Sequence, residues 1–316
     1  MSFTFVEQFR VVLGLQNQKK GALFVMGAGC LWGTFGIITK TLYALTPMGP
    51  VSLAFYRLVP AIPILALLTA VRKYPVSIRD RKELALFVGF GFCSLTLFEI
   101  LYFSSLGFTT VQHAAALLYT APAFVAVLSW FFLKEKMGGR KIVAVVLSIV
   151  GAFLILGVGR SQALFASRTQ IGDWLAVASG LAYSSWYIFG KLLGRGREPT
   201  VTALLGLSFG AIQLLPLMIV FEGFVIPESL VAWELVLVVG LVPTALAYLL
   251  YLTGLRYIDA TRASVYAIAE PLSSALLAFY FFGEVLAVDS LLGFVLIISS
   301  IVLISTRNVS VNFRAQ

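Results

Sequence analysis

Ten runs of about 20 mostly apolar residues follow one another along the chain, at roughly 21–42, 47–71, 83–106, 108–132, 140–158, 171–192, 199–221, 231–253, 261–282 and 286–305. Short polar stretches that carry nearly all of the charge separate them. At ~1.5 Å per residue, a helix of that length crosses the hydrocarbon core of a bilayer. Gly and Pro inside the runs do not argue against helices, because neighbouring helices satisfy the backbone groups they free. The pattern predicts an all-α integral membrane protein with ten transmembrane helices. No signal peptide is evident. In residues 1–20 an apolar set (Phe3, Phe5, Val6, Phe9, Val12, Leu13) is interrupted by Glu7, Arg10, Lys19 and Lys20. It reads as an N-terminal cytoplasmic segment, either a short interfacial amphipathic helix or a tail; residues 307–316 read as a second cytoplasmic tail.

Composition points the same way. Of the 316 residues, 60% are hydrophobic and 12% charged, with a mean hydropathy of +0.97. An ordinary soluble domain has about 25% charged residues, so a soluble fold would expose far more apolar surface than a monomer tolerates. The net charge of +9 is distributed as an orientation signal. With ten spans, nineteen of the 23 Lys and Arg fall on the side of the termini, and only Lys40, Arg160 and Arg168 on the other. Arg57 remains inside the membrane. The positive-inside rule then puts both termini in the cytoplasm of a multi-pass plasma (inner) membrane protein. No basic stripe is interleaved with stacking aromatics, so no nucleic-acid partner is expected.

The two halves resemble each other. Gly29–Lys40, "GCLWGTFGIITK", aligns with Gly180–Lys191, "GLAYSSWYIFGK", at an offset of 151; Pro122 pairs with Pro271 and Glu135 with Glu284 at an offset of 149. The repeats span 21–158 and 171–306. Each holds five spans, an odd number, so the second must enter the membrane upside down. Inverted repeats of this kind are a recurring plan of secondary transporters, in which two similar halves exchange conformations.

These segments carry a family resemblance. "SLGFTTVQHAAALLYTAPAFVAVLSWFFLKEKM" followed by "VVLSIVGAFLILG", and "GLRYIDATRASVYAIAEPLSSALLAFYFFGEVL" followed by "LLGFVLIISSIVLIS", each resemble the end of an EamA-type repeat of the drug/metabolite transporter superfamily. The marks are a mid-helix Pro and a Glu closing the fourth helix of each repeat. "LWGTFGIITK" and "AFYRLVPA" are similar to the first and second helices of such a repeat. The resemblance covers about residues 20–306. It implies ten helices in two inverted five-helix repeats around a central cavity, and transport without ATP, often export of amino acids or other small metabolites.

Charge inside hydrocarbon costs about 2.5–3.5 kcal/mol per residue at a helix centre on insertion scales, so the few intramembrane charges draw notice: Arg57, Glu99 and Glu270. Arg57 lies roughly 15 Å deep and Glu99 roughly 10 Å from the outer end of its span. Two readings stand for this pair: a substrate site in which Arg57 takes a carboxylate while Glu99 orients it, binds an amine or serves in proton coupling, or an ion pair that fixes helix packing. Glu270, near the midplane and just before Pro271, suits a proton carrier, because a carboxyl in apolar surroundings can trade its charge for a proton; it also reads as a partner for backbone freed by the proline. Pro122 and Pro271 are candidate hinges at equivalent sites. Trp32, Tyr102, Tyr119, Tyr183, Trp186, Tyr248 and Tyr266 are candidate pocket aromatics, with ordinary packing the alternative for each. Gln213 reads as helix glue, and Gly206 with Gly210 as a close-approach motif.

Other classes lack their signatures. There is no G-x-x-x-x-G-K-[ST], H-E-x-x-H or G-x-S-x-G, His113 is the lone histidine, and Cys30 and Cys93 have no metal-ligand spacing. No metal, cofactor or enzymatic activity is expected. The leading expectation is a secondary transporter that exports a small metabolite, an amino acid or related organic ion, by alternating access. Its partners would be the lipid bilayer, its substrate and protons as coupling ion, in a monomer or a homodimer. Multidrug or toxic-cation efflux is the alternative, and a non-transporting scaffold or membrane enzyme a more distant one.

Overall fold

The computed structural model describes residues 5–109, 111–155, 169–283 and 288–305. Glu284, the tail at 307–316 and the repeat ends at 156–158 and 306 lie outside these, as does the side chain of His113. The described residues form ten helical rods and no strand. α1 comprises Phe5–Gly33 and Phe35–Leu45; α2, Pro50–Tyr56 and Leu58–Val71; α4, Val111–Leu118 and Ala121–Phe132; α9, Ala260–Ala267 and Ala269–Phe282. α3 (Arg81–Gly89, Phe90–Leu97, Phe98–Leu106) and α8 (Leu230–Gly240, Leu241–Leu246, Ala247–Leu255) each contain a π-helical middle. α5 (Gly139–Ile155), α6 (Thr169–Leu193), α7 (Pro199–Phe221) and α10 (Val288–Ser305) are continuous. From Phe5 the first helix runs without a break into the first span.

Six stretches are long and apolar enough to cross a membrane on length and composition: Gln16–Leu45, Pro50–Val71, Arg81–Leu106, Pro199–Phe221, Leu230–Leu255 and Ala260–Phe281; Ala121–Phe132 and Leu291–Ser305 are shorter apolar helices. α6 carries Asp173, Lys191 and a run of serines, which lowers its hydropathy. Ser179 and Ser184 return their hydroxyls to the preceding turn, so the helix contributes small polar residues without unpaired donors.

Prolines explain most of the breaks. A proline has no N–H and its ring clashes with the carbonyl four residues back. Pro60, Pro122 and Pro271 have Tyr56, Leu118 and Ala267 at that position, and each is the last residue of its half-helix. In α8, Pro243 frees the Val239 carbonyl, which the Thr244 hydroxyl recovers at 2.8 Å. The break at Thr34 and the π segment of α3 contain no proline.

Packing repeats across the two halves. α1 packs on α8 and α9, and α6 packs on α3 and α4; α5 packs on α10 and α2 on α7. The glycines show how closely the two interfaces correspond. A methyl on Gly29 would stand 2.8 Å from the Ala267 carbonyl oxygen, and one on Gly180 would stand 3.1 Å from that of Leu118. Gly21 meets Tyr257, Ile258 and Gly254 just as Gly172 meets Phe108, Thr109 and Ser105. Gly206 and Gly210 admit Phe90 and Leu95 of α3, so the close-approach motif serves an intrachain contact.

The basic loops gather at one end. Arg79 reaches the Gly196 carbonyl at 2.5 Å, Arg197 pairs with Glu83 at 2.7 Å, Arg256 with Glu198 at 3.3 Å and Lys141 with Asp259 at 3.1 Å. At the opposite end the Glu222 carboxylate accepts the Val51 and Ser52 N–H groups, both at 2.8 Å, and so ties α7 to the start of α2. Exposed aromatics ring both ends: Trp130, Phe131 and Phe132 close α4, and Phe279, Tyr280 and Phe281 close α9 at the matching repeat positions, as an interfacial belt requires.

Gly29→Ala should therefore destabilise the bundle by about 1–3 kcal/mol. Gly139→Ala, with nothing within 4 Å of the added methyl, should leave it unchanged. Thermal unfolding of the purified protein in detergent, followed by size exclusion, distinguishes the two.

Candidate functional site

Arg57 sits at the break of α2, where the helix geometry is interrupted and the side chain can leave the bundle wall. Its Nη2 meets Glu99 Oε1 at 2.8 Å, and the two side chains are only 10% and 7% exposed. The Phe35 ring lies 5.6 Å from the guanidinium carbon, on the second half of α1. Tyr248 of α8 also interacts with Arg57. At the offset of 149, Glu99 on α3 and Tyr248 on α8 are repeat partners. Equivalent positions of the two halves thus close on one arginine.

Glu270 is placed by the break of α9. It follows Ile268, where the first half-helix ends, and precedes Pro271. Its carboxyl lies within interaction range of Tyr119, which stands at the matching break of α4. Tyr102, Tyr183 and Tyr187 are near enough to interact with the same carboxylate, and Arg57 is within electrostatic reach.

Aromatic rings wall the charges. Trp186 stacks on Phe90 at 4.4 Å and meets Tyr248 edge-on at 4.3 Å. Trp32 meets Tyr248 at 6.0 Å and Tyr251 at 5.5 Å. Phe98 links Tyr102 at 5.9 Å to Tyr183 at 5.4 Å. Among the described residues Arg57 Nε, Trp186 Nε1 and the Tyr251 hydroxyl are buried without a protein partner. A buried donor left unpaired costs about 1–3 kcal/mol, so this centre is rich in donors awaiting an acceptor.

The structure therefore brings Trp32, Arg57, Glu99, Tyr102, Tyr119, Tyr183, Trp186, Tyr248 and Glu270 together, contributed by α1, α2, α3, α4, α6, α8 and α9. Pro122 and Pro271 are at the α4 and α9 breaks. Tyr266 is placed elsewhere: its hydroxyl meets Ser305 Oγ at 2.9 Å and pins α9 to α10. Gln213 donates to the Val88 carbonyl at 3.2 Å, between α7 and α3. Phe35, Phe90, Phe98 and Tyr251 join the cluster without having been singled out in the sequence. For Tyr251 a signal exists, since it is the repeat partner of Tyr102; the three phenylalanines look like every other apolar residue of their spans. The described residues contain no group of three His, Cys, Asp or Glu side chains fit to hold a metal.

Broken helices that lead polar side chains into the middle of a bundle, in two cross-packed halves, define a multi-pass membrane protein of transporter architecture. The EamA-like transporter family model matches residues 19–157 and 170–306, and the chain belongs to that family. It is 28% identical over 296 residues to YicL, an uncharacterized inner membrane transporter of Salmonella typhimurium (strain LT2), covering 92% of this chain and 96% of that protein. It is 27% identical over 288 residues to YwfM, an uncharacterized transporter of Bacillus subtilis (strain 168), covering 90% and 93%. A solved crystal structure shares the fold with a TM-score of 0.77 at 19% identity, over 90% of this chain and 96% of that one.

Removing one member of the buried ion pair leaves the other without a countercharge. Glu99→Gln or Arg57→Met alone should destabilise by about 3–5 kcal/mol, and the double variant by less than the sum. A thermal-unfolding cycle on the four proteins measures the coupling.

Proposed function

We propose that this chain is a secondary transporter that exports a small carboxylate-bearing metabolite, an amino acid or related organic ion, by alternating access. It sits in the plasma (inner) membrane with its basic end and both termini in the cytoplasm, the side on which nineteen of its Lys and Arg fall. The observation that carries this reading is the buried centre itself. One arginine, two carboxylates and a wall of tyrosines and tryptophans meet where the helices of both repeats are broken. Arg57 offers a carboxylate its unused Nε–H, with Trp186 Nε1 and the Tyr251 hydroxyl as further donors in the same wall. Glu99 and Glu270 offer sites for an amine, and Glu270, beside Tyr119, serves as the proton carrier. Aromatic rings supply the apolar contact for the rest of the molecule.

Multidrug or toxic-cation efflux is the second reading. It is favoured by the excess of carboxylates over arginine and by the aromatic walls, which suit a cation.

Purified protein in liposomes, challenged with radiolabelled amino acids, organic acids and organic amines with and without a pH gradient, separates the two. On the first reading Arg57→Ala lowers counterflow of carboxylate substrates about 10–100-fold, the worth of one charge-assisted hydrogen bond, and spares simple amines. Glu270→Gln abolishes gradient-driven accumulation while counterflow persists. Flux of amines alone, indifferent to Arg57→Ala, supports efflux instead; no flux with any of the three classes refutes both.

A further inference from the structure

Of the two glutamates that mark the ends of the repeats' fourth helices, Glu135 is among the described residues, and its work is visible. Its Oε1 accepts the Ala260 N–H at 2.6 Å; its Oε2 accepts the Thr261 N–H at 3.3 Å and the Thr261 hydroxyl at 2.9 Å. These are the first two amides of α9, which the helix leaves unpaired and which its dipole makes receptive to an anion. Asp259 accepts the third, the Arg262 N–H, at 2.8 Å. The Lys141 ammonium stands 3.8 Å from Glu135 and 3.1 Å from Asp259. Ser129 of α4 meets the Thr261 hydroxyl at 2.8 Å.

The backbone that aims Glu135 is strained. Lys134 takes a left-handed φ of 57°, where an L side chain crowds the backbone. The other repeat has a glycine at the matching position: Gly283, 149 positions on, has a φ of 64° and no side chain to crowd. The turn brings the Glu135 N–H to the Ser129 carbonyl at 3.1 Å, which also accepts the Leu133 N–H at 3.0 Å. Strain of this kind persists where the surrounding contacts hold it, and it gathers at working parts of a molecule.

α4 packs on α6 and α9 on α1, and the start of α9 meets α4. The Glu135 contact therefore ties one group of helices to the other at the basic end. Lys191 of α6 makes a second tie there, donating its ammonium to the Leu255 and Ile258 carbonyls, the latter at 2.6 Å. Helix C-termini present unpaired carbonyls and the negative end of the dipole, so a lysine fits there. From its held start α9 runs as one rod, Ala260–Ala267, to the break that carries Glu270.

We infer that Glu135 is the clasp of the basic end. It holds the start of α9 against α4 in the state seen here, and the basic end opens when that half-helix swings off it about the Ile268 break. The inference rests on the alternating-access reading above and names the contact that holds one of its states.

A Tyr102→Cys reporter at the centre, in a Cys30→Ser/Cys93→Ser background, tests it with a membrane-impermeant maleimide applied to spheroplasts or to inverted vesicles. The parent should label chiefly from the face opposite the basic loops. Glu135→Gln should raise the labelling rate from the basic face about 10–100-fold, the factor set by losing one hydrogen bond to a charged group, without raising it from the other. Lys134→Gly, which keeps the turn and removes its strain, should label as the parent does. A rise from both faces alike, no rise from the basic face, or an equal rise in Lys134→Gly overturns the clasp. So does a parent that labels chiefly from the basic face. The liposome fluxes above fail separately: flux retained with any of these results overturns the clasp alone, and no flux overturns the transport reading and the clasp with it. Should Glu135→Gln fail to reach the membrane, Glu135→Cys/Thr261→Cys decides. Oxidised to a disulfide, it should confine reporter labelling to the face opposite the basic loops, and reduction should release it; labelling from the basic face while the disulfide is intact refutes the proposal.

Discussion

Within hydrocarbon a backbone carbonyl that loses its helical partner has no water to turn to. That constraint shapes the whole bundle, because its helices are interrupted at mid-depth again and again. Each interruption exposes polar backbone, and at several a neighbouring hydroxyl answers it. The Thr34 and Thr120 hydroxyls return to Leu31 and Leu117, each at 2.7 Å, and the Thr244 hydroxyl to Val239. Where the carbonyls of Leu118 and Ala267 are left by a proline, the partner helix comes in on a glycine, so that two backbones lie nearly in contact. The side chains that matter chemically (Arg57, Tyr119 and Glu270) sit at or beside these breaks. A polar centre in a lipid-soluble protein is thus assembled from the same defects that would otherwise weaken it.

The scaffold obeys the repeat and the centre departs from it. Glycine contacts, capping turns, the breaks of α4 and α9, the π-helical middles of α3 and α8, and the exposed aromatics recur at offsets of 149 and 151; the breaks of α1 and α2 have no counterpart in the continuous α6 and α7. The charges do not recur: the partners of Arg57, Glu99 and Glu270 are Gly206, Tyr248 and Ala121. The division is physically sensible. On the alternating-access reading proposed above, two conformations related by symmetry require interfaces of matching strength at both ends, so the packing must repeat. On the same reading a substrate has one shape and one charge pattern, so the residues proposed to meet it need not.

How much of this was legible in the sequence follows from the range of each interaction. The helices and the two repeats are written in composition and period: the described residues form ten helical rods, six of them long and apolar enough to cross a membrane, and the family match falls on both halves. The breaks of α2, α4, α8 and α9 follow from prolines. The π segment of α3 was not legible, because nothing local distinguishes it: it lies where Phe90, Gly91 and Leu95 fit against α7, a tertiary fact. Arg57, Glu99 and Glu270 stood out because charge in lipid is costly wherever it falls. The aromatics did not sort themselves, since Tyr251 and Tyr266 look equally suitable until helix rotation is known; one faces Trp186 and the other Ser305. Lys191 looked like one more loop cation because its partners are carbonyls, which carry no sequence signal. Glu222 was hidden for the same reason, since it binds backbone N–H groups.

The inventory of central charges adds a constraint on what can pass. Arg57 and Glu99 neutralise each other at 2.8 Å, which leaves Glu270 as a second carboxylate. An uncompensated charge in a low-dielectric bundle is expensive, so the site is at rest only when Glu270 carries a proton or faces a cation. A zwitterion brings no net charge: its carboxylate competes with Glu99 for Arg57, its amine can stand against the carboxylate displaced, and the proton on Glu270 stays. An organic cation brings the charge that Glu270 lacks and so displaces the proton. Under the transport reading, zwitterion and proton cross together, while cation and proton exclude one another. The same three side chains therefore dictate opposite couplings for the two candidate classes of substrate, and the sign of the coupling reports which class the protein was built to carry.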